Sequence, residues 1–273
     1  MLRLFLSCWG GYINDWRASL ISKYIESLVA KHNSLKLITF GQSVGPFSSK
    51  LYQDIAEKLL SMYDTCSFRD INSYVYANYN QYIHRIVVPD YALYRSDSDN
   101  TYVSQTFISK LPIRYALFVV GYDNIENNIG FLSEYALYLN KKENLQIVFT
   151  VSQLWSTIET ANCITKQLTD CGVSCTCIIP TSVHELEYLI KQSCLCLSQN
   201  LHALILAYKN QIPSFALNDR PKFKAFCDYT DIPIFSIINF NIDKAVKYTL
   251  RGKEGLIFKD FSATIENDFL FHM

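Results

Sequence analysis

The feature that most constrains the fold of this chain is the alternation of short apolar runs with longer amphipathic stretches. In the first part of the chain, this pattern predicts strands over residues 3–8, 35–40, 65–68 and 85–88, and helices over 15–32, 49–62 and 71–79. Strands that alternate with helices predict β-α-β units, in which the strands pair in parallel and the helices cover the sheet. We therefore expect an α/β protein.

The same alternation resumes after a polar interruption. Residues 95–105 show no apolar period, which is typical of a linker between two lobes. The pattern then predicts strands over 114–120, 145–151, 174–179, 194–197 and 214–217, and helices over 125–140, 156–170, 182–192, 201–209 and 222–227. We predict two Rossmann-like, doubly wound lobes over 1–98 and 106–238, and a helical tail over 239–273. Ligands should bind outside the carboxyl ends of the strands, in the cleft between the lobes.

Composition excludes several other classes of protein. The 273 residues correspond to about two domains of roughly 150 residues. Apolar residues make up 49% and charged residues 18%, which excludes a disordered chain. Lys and Arg number 25, as do Asp and Glu, so the formal net charge is zero and no nucleic-acid partner is expected. The longest apolar runs are too short to cross a bilayer, so no transmembrane segment is predicted.

The nine cysteines indicate a reducing compartment. Their number is odd, several lie in apolar runs, and the short apolar start of the chain is interpreted as a strand, not as a cleavable signal. We therefore expect buried, reduced thiols in a cytoplasmic protein. The pairs Cys175/Cys177 and Cys194/Cys196 each place two sulfurs on one face of a strand, but neither is accompanied by a Cys-x-x-Cys or a His partner. We therefore predict no metal site.

The first candidate for ligand binding is the segment Gly41-Gln-Ser-Val-Gly-Pro46, which follows a predicted strand and precedes a helix. In this cleft loop, Gly41, Gln42 and Gly45 are the residues expected to approach a ligand, because glycine permits close backbone approach. Backbone N–H groups there could hold an anion or a sugar hydroxyl. The alternative is a tight turn in which Pro46 begins the helix. The segment matches neither a Walker loop nor Gly-x-Gly-x-x-Gly.

The second candidate is Arg69, at the carboxyl end of the next predicted strand. A guanidinium at this position suits bidentate contact with a carboxylate or a phosphate. The alternative is a surface arginine that pairs with Asp70 or with another acid.

The third candidate is Ser198-Gln-Asn-Leu-His-Ala203, where a short strand ends and an apolar helix begins. Asn200 and His202 fall in the first turn of that helix, beside backbone N–H groups that have no partner within the helix. His202 could donate to an anion or act as a general acid, and the alternative is a structural histidine. Residues 218–224 supply cations after the following strand, with an ordinary solvated loop as the alternative.

In this order, the segments resemble motifs of the polysaccharide pyruvyl transferase family. The resemblance covers residues 4–226 and rests on Gly41–Phe47, Phe68–Ser73, Val88–Leu93, Ser198–Ala207, Ile212-Pro213 and Lys222. It implies a GT-B-like fold, and transfer of pyruvate from phosphoenolpyruvate onto two hydroxyls of a sugar as a cyclic ketal. The implied partners are phosphoenolpyruvate, with no further cofactor, and a saccharide of surface polysaccharides, in some cases lipid-linked. The implied location is the cytoplasm, including the inner face of the membrane.

The resemblance also assigns roles to residues. Arg69 matches the arginine of the family's Arg-Asp-x-x-Ser segment, and Asn200-Leu201-His202 matches its Arg-Leu-His motif. Both segments are implied to bind the donor, with His202 as the acid that protonates the methylene carbon of the enolpyruvyl group. Lys222 is expected to help hold the phosphate and the carboxylate of the donor.

Two departures from the family pattern bear on activity. Asn200 stands where the family has arginine, and loss of that charge-assisted contact costs about 1.5–3 kcal/mol, or roughly 10- to 150-fold in affinity. The chain also begins close to the strand before Trp9-Gly-Gly11, so we expect a truncated first lobe on the acceptor side. Two alternatives stay open: a catalytically degenerate member of the family, and a GT-B glycosyltransferase that uses a nucleotide sugar.

Overall fold

The chain folds into two compact units. The computed structural model describes residues 4–15, 17–77, 84–94, 103–120, 125–151, 165–218, 220–236, 240–250 and 257–272. The first unit comprises Met1–Tyr94 and Asp260–Met273, and the second comprises Arg95–Lys259. Each unit is built around its own parallel β-sheet.

The first unit holds a four-stranded parallel sheet in the order β1-β2-β3-β4. Its elements are β1 (Leu4–Ile13), α1 (Arg17–His32), β2 (Lys36–Val44), α2 (Lys50–Ser61), β3 (Thr65–Phe68), α3 (Ile71–Tyr76), β4 (His84–Val87), a 3₁₀ turn (Tyr91–Leu93) and the last helix of the chain (Ser262–His272). Because the strand order follows the chain order, right-handed crossovers place α1, α2 and α3 on the same face. Leu20, Leu37, Leu59 and Phe68 are fully buried in the core on that face.

The second unit holds a five-stranded parallel sheet in the order β7-β6-β5-β8-β9. Its elements are α4 (Gln105–Ile108), β5 (Tyr115–Val120), α5 (Ile125–Lys142), β6 (Gln146–Val151), β7 (Cys175–Cys177), α6 (Val183–Lys191), β8 (Leu195–Ser198), α7 (Leu201–Lys209), β9 (Ser214–Ala216), α8 (Pro221–Thr230) and α9 (Ile242–Leu250). The chain runs outward from β5 to β7 and then returns to place β8 on the other side of β5. The junction of β5 and β8 is therefore a topological switch point, where open sheets bind ligands.

The second sheet is covered on both faces, and its middle strand β5 is a continuous apolar run. Every residue of β5 is buried. Phe118 and Phe149 pack with Tyr135 on one face, while Leu117 and Val148 contribute to a separate core on the other. This two-sided burial is the doubly wound arrangement that the alternation of strands and helices predicts.

The α/β class and the parallel sheets are confirmed. The helix predicted over 156–170 is described only at 165–170, and residues 95–102 of the predicted linker also lie outside the described residues. The predicted tail over 239–273 does not form a separate unit, since it is divided between the two. Its first helix buries Ala245 in the second core, whereas Ile265 is buried in the part that belongs to the first unit. Within the described ranges, no helix is long and apolar enough to cross a membrane.

Candidate functional site

The first group of predicted site residues lies at the carboxyl edge of the first sheet. The sequence predicts that β2 ends at Phe40, but the strand continues to Val44, with a register shift just before Gln42. Gly41 lies in this shift with a φ of +56°, in the left-handed region that favours glycine. Gly41 and Gln42 are therefore part of the strand, and only Gly45 lies in the loop that follows.

Internal contacts already use the backbone N–H groups of both glycines. Gly41 N–H donates to Ser67 Oγ at 2.9 Å, and Gly45 N–H donates to the carbonyl oxygen of Ile13 at 2.7 Å. A Cβ atom at Gly41 would lie 2.9 Å from the ring of Tyr91, so the close packing of that ring requires glycine. These N–H groups shape the edge of the sheet and are not available to an anion.

Arg69 follows β3 and is the centre of a hydrogen-bonded network. Its Nη1 pairs with Asp90 Oδ2 at 2.9 Å. Its Nε donates to the hydroxyl of Ser43, which in turn donates to Asp70 Oδ2 at 3.0 Å. The Arg69 and Asp90 side chains are only 11% and 14% exposed, so solvent screens the pair little. The guanidinium is therefore matched by carboxylates of its own unit, with Asp90 and not Asp70 as its ion-pair partner.

The sequence analysis missed this network, although a signal for it was present. Asp90 follows β4, which pairs in parallel with β3, so the chain segments after both strands begin at one edge of the sheet. Asp70 is also the N-cap of α3, because its Oδ1 accepts the N–H of Ser73 at 2.8 Å. The Ser73 hydroxyl accepts the N–H of Val44 at 2.8 Å and so ties α3 to the end of β2.

The second group of predicted residues lies beside the switch point of the second sheet. Asn200 is the N-cap of α7, and its Oδ1 accepts the N–H of Ala203 at 3.0 Å. The hydroxyl of Ser198, the last residue of β8, accepts the Asn200 N–H at 3.0 Å and donates to the Asn200 carbonyl oxygen at 2.7 Å. Leu201 is buried and anchors the first turn. Asn200 therefore has a capping role that the sequence analysis did not assign to it.

His202 and Lys222 occupy equivalent positions on two helices that follow neighbouring strands. His202 is the second residue of α7, after β8, and Lys222 is the second residue of α8, after β9. Because β8 and β9 pair in parallel, both helices begin at the same edge of the sheet. The side chains of His202, Lys222 and the preceding Arg220 are exposed. Two helix N-termini and these basic side chains together favour an anionic ligand.

The structure therefore divides the predicted donor-binding residues between the two units. Asn200, Leu201, His202 and Lys222 lie at one edge of the second sheet, whereas Arg69 lies in the first unit. The described contacts of Arg69 are all within its own unit.

The cysteines whose side chains the structure describes take no part in either group. Cys66, Cys196 and Cys227 are buried thiols, and burial raises the pKa of Cys196 and of Cys227 to about 12. Cys171 and Cys194 are exposed, in contrast to the predicted burial of the cysteines. Among the described side chains, no group of three or more His, Cys, Asp or Glu residues could hold a metal ion.

Comparisons with known proteins agree with this architecture. The family model described as polysaccharide pyruvyl transferase matches residues 2–220. No curated protein matches the sequence significantly.

Among solved structures, UDP-GlcNAc 2-epimerase from Methanocaldococcus jannaschii has a TM-score of 0.67 at 14% identity, over 92% of this chain and 73% of that chain. The Neisseria meningitidis UDP-GlcNAc 2-epimerase bound to UDP-GlcNAc has a TM-score of 0.66 at 14% identity, over 92% and 73%. The enzyme from Rickettsia bellii has a TM-score of 0.57 at 11% identity, over 91% and 69%. At these identities the likeness shows the fold alone, which is GT-B-like with two Rossmann-like lobes.

Proposed function

Because the chain belongs to the polysaccharide pyruvyl transferase family, we propose that it transfers pyruvate from phosphoenolpyruvate onto a hydroxyl pair of a saccharide. The observation that carries this proposal is the family match over residues 2–220, which includes the first edge and the start of α7 with His202 but ends just before α8 and Lys222. The product is a cyclic pyruvate ketal on a sugar of a surface polysaccharide, and inorganic phosphate is released.

The second unit supplies the donor site. Phosphoenolpyruvate carries a phosphate and a carboxylate, and both are anions that helix N-termini and basic side chains stabilise. His202 and Lys222 are exposed at the starts of α7 and α8, beside the switch point of the sheet. In this proposal Lys222 binds one anionic group of the donor, and His202 donates a proton to the donor.

His202 acts as the general acid in this proposal. It gives a proton to the methylene carbon of phosphoenolpyruvate, which leaves positive charge on C2 that the ester oxygen shares. A sugar hydroxyl attacks C2 and loses its proton, and the C2–O bond to phosphate then breaks with its electron pair. The second hydroxyl attacks the same carbon. Of the two hydroxyl protons, one restores the acid and the other leaves on phosphate, so the reaction balances.

Asn200 weakens donor binding in this proposal but preserves the helix N-terminus at the donor site. Its amide oxygen is engaged in capping α7, so the residue keeps the helix N-terminus in shape. An amide group lacks the charge of the family's arginine, and we therefore expect donor binding that is weaker than that of an arginine-containing relative. Lys222 and Arg220 supply positive charge at the same edge.

We propose that Arg69, which the resemblance assigns to donor binding, instead stabilises the first unit. Asp90 and Asp70 already surround it with negative charge, which disfavours a second anion at this edge. Hydroxyl groups of a saccharide carry no charge and can form hydrogen bonds with the polar groups at this edge. We therefore assign the acceptor to the first unit.

Thermal stability with millimolar phosphoenolpyruvate tests the proposal, with inorganic phosphate and UDP-hexoses as controls. A ligand present at 100 times its Kd stabilises the native state by about 2.7 kcal/mol. We expect phosphoenolpyruvate to raise Tm more than phosphate does, and phosphate release to require a saccharide. A rise with a UDP-hexose alone would favour a glycosyltransferase. No rise and no phosphate release would favour a degenerate member of the family.

A further inference from the structure

Helix α1 of the first unit packs on its own unit with one face only. Leu20, Ser27 and Ala30 lie on that face and are buried. Leu20 and Ala30 belong to the core of the unit, and the Ser27 hydroxyl donates to the hydroxyl oxygen of Tyr63 at 3.4 Å. These contacts hold α1 in place, so the residues on its opposite face are not required for the packing of the unit.

The opposite face of α1 is nevertheless apolar. Ile25, Leu28 and Val29 are 53%, 44% and 57% exposed. Ala18 is also exposed, and Ile21 is half-buried. These residues recur at intervals of three or four positions, so they lie along one side of the helix. This side, which we call the outer stripe, consists of Ala18, Ile21, Ile25, Leu28, Val29 and His32.

The outer stripe differs from the exposed faces of other helices. Helix α8 exposes Lys222, Lys224 and Asp228, and α9 exposes Lys244 and Lys247 in its middle turns. The outer stripe contains no Lys, Arg, Asp or Glu. Single apolar residues on a surface are ordinary, but apolar residues at alternating intervals of three and four form the seam with which one helix packs on another. The outer stripe therefore indicates a helical partner.

The spacing of the outer stripe is symmetric about Ile25. Ile21 and Val29 lie four positions to either side of it, and Ala18 and His32 lie seven positions to either side. If two copies of α1 pack antiparallel about a two-fold axis at Ile25, Ile21 of one copy meets Val29 of the other, and the small Ala18 meets the larger His32. An interface of this kind uses the same patch of both subunits, and the opposed helix dipoles favour it.

We propose that the outer stripe of α1 is the interface of a homodimer, in which α1 packs antiparallel on α1 of a second copy of this chain. The inference does not depend on the proposed transferase activity. The stripe occupies one side of a 16-residue helix, which offers much less than the roughly 800 Å² per partner of a stable interface. The dimer is therefore weak, with a Kd on the order of 10–100 µM, and it dissociates on dilution.

Sedimentation velocity of the full chain, from about 1 to about 500 µM, tests the proposal, because dimerisation follows mass action. The variants Ile25→Glu and Ile25→Lys each place two like charges at the two-fold axis. Val183→Glu is the matched control, since Val183 is 66% exposed on a helix of the second unit, α6. Val29→Glu is a second variant within the stripe. Because all these side chains are largely exposed, each variant should keep the Tm that wild type has at low concentration.

The mean mass of wild type should rise from 31.5 kDa towards twice that value as the concentration increases. Ile25→Glu, Ile25→Lys and Val29→Glu should each weaken dimerisation at least 10-fold, since like charges meet or apolar contact is lost, whereas Val183→Glu should match wild type. An equal mixture of Ile25→Glu and Ile25→Lys should dimerise again, because opposite charges then meet at the axis. The proposal is overturned if wild type stays monomeric throughout, if Ile25→Glu dimerises within threefold of wild type, or if the mixture stays monomeric.

Discussion

The carboxyl edges of the two sheets each carry basic residues, but these residues differ in burial and in their contacts. In the first unit, Arg69 is largely buried, is paired with Asp90 and donates to Ser43. In the second unit, His202 and Lys222 are exposed at the starts of two neighbouring helices. The two edges therefore differ in burial: the basic residue of the first is largely shielded from solvent in an ion pair, whereas the basic side chains of the second are exposed.

This difference accounts for the assignment of one substrate to each unit. The first edge has two carboxylates, Asp70 and Asp90, against one guanidinium in its network. The second edge has helix N-termini and exposed basic side chains. Electrostatics therefore favour the anionic donor at the second edge and the uncharged acceptor at the first.

The largest effect is expected from His202→Ala. Loss of a general acid should slow transfer about 10²- to 10⁴-fold, which is the usual contribution of a positioned proton donor. The measurement is phosphate release from phosphoenolpyruvate with a saccharide, together with NMR of the product in D₂O. Wild type should place one deuterium in the methyl group of the ketal.

His184→Ala is the matched control for this variant. His184 is also exposed and is also the second residue of a helix, α6, but that helix follows the edge strand β7 and not a strand beside the switch point. Turnover by His184→Ala should equal that of wild type. If His202→Ala keeps wild-type turnover, the role of His202 as acid is wrong.

The next largest effect is expected on the stability of the protein when the ion pair at the first edge is broken. Arg69→Ala should lower the free energy of unfolding by about 3 kcal/mol, because it leaves Asp90 shielded from solvent without its partner. Lys31→Ala removes the exposed Lys31–Asp64 pair, whose side chains are 37% and 38% exposed, and should cost no more than about 1 kcal/mol. Denaturant unfolding of both variants measures the difference.

A double variant distinguishes a role of Arg69 in the stability of the first unit from a role in binding the donor. Arg69→Met combined with Asp90→Asn removes both charges and should recover part of the stability that Arg69→Ala loses. Phosphoenolpyruvate should raise the Tm of this double variant by as much as it raises that of wild type, if the proposed donor site is correct. Loss of that response from a folded double variant would instead place Arg69 at the donor.

The sequence was sufficient to predict the elements that position both edges. Apolar runs and amphipathic periods located the strands and helices, since in parallel sheets burial on both faces leaves a clear apolar signature, as in Tyr115–Val120. The position of Asn200 and His202 at a helix start also followed from the sequence. The order of the strands in the second sheet did not follow from the sequence, because the return of β8 to the side of β5 depends on contacts between distant segments.

The pairing of individual side chains could not be predicted from the sequence. Arg69 and Asp90 are 21 residues apart, and only the parallel pairing of β3 with β4 brings them together. The extension of β2 through Gly41 was missed because glycine is depleted in strands, whereas here it permits a register shift under the ring of Tyr91.

The smallest effects are expected at Asn200, where two roles oppose each other. Asn200→Arg should raise the affinity for phosphoenolpyruvate about 10- to 150-fold, because it adds a charge-assisted contact to an anion. The same change removes the cap of α7 and should lower the free energy of unfolding by about 1 kcal/mol. Asn200→Asp keeps a capping oxygen but adds negative charge, so it should preserve stability and weaken donor binding. Titration calorimetry and denaturant unfolding measure the two quantities separately. Equal donor affinity in wild type, Asn200→Arg and Asn200→Asp would show that residue 200 only caps the helix. Donor binding at the second edge would then depend on His202, Lys222 and the helix N-termini.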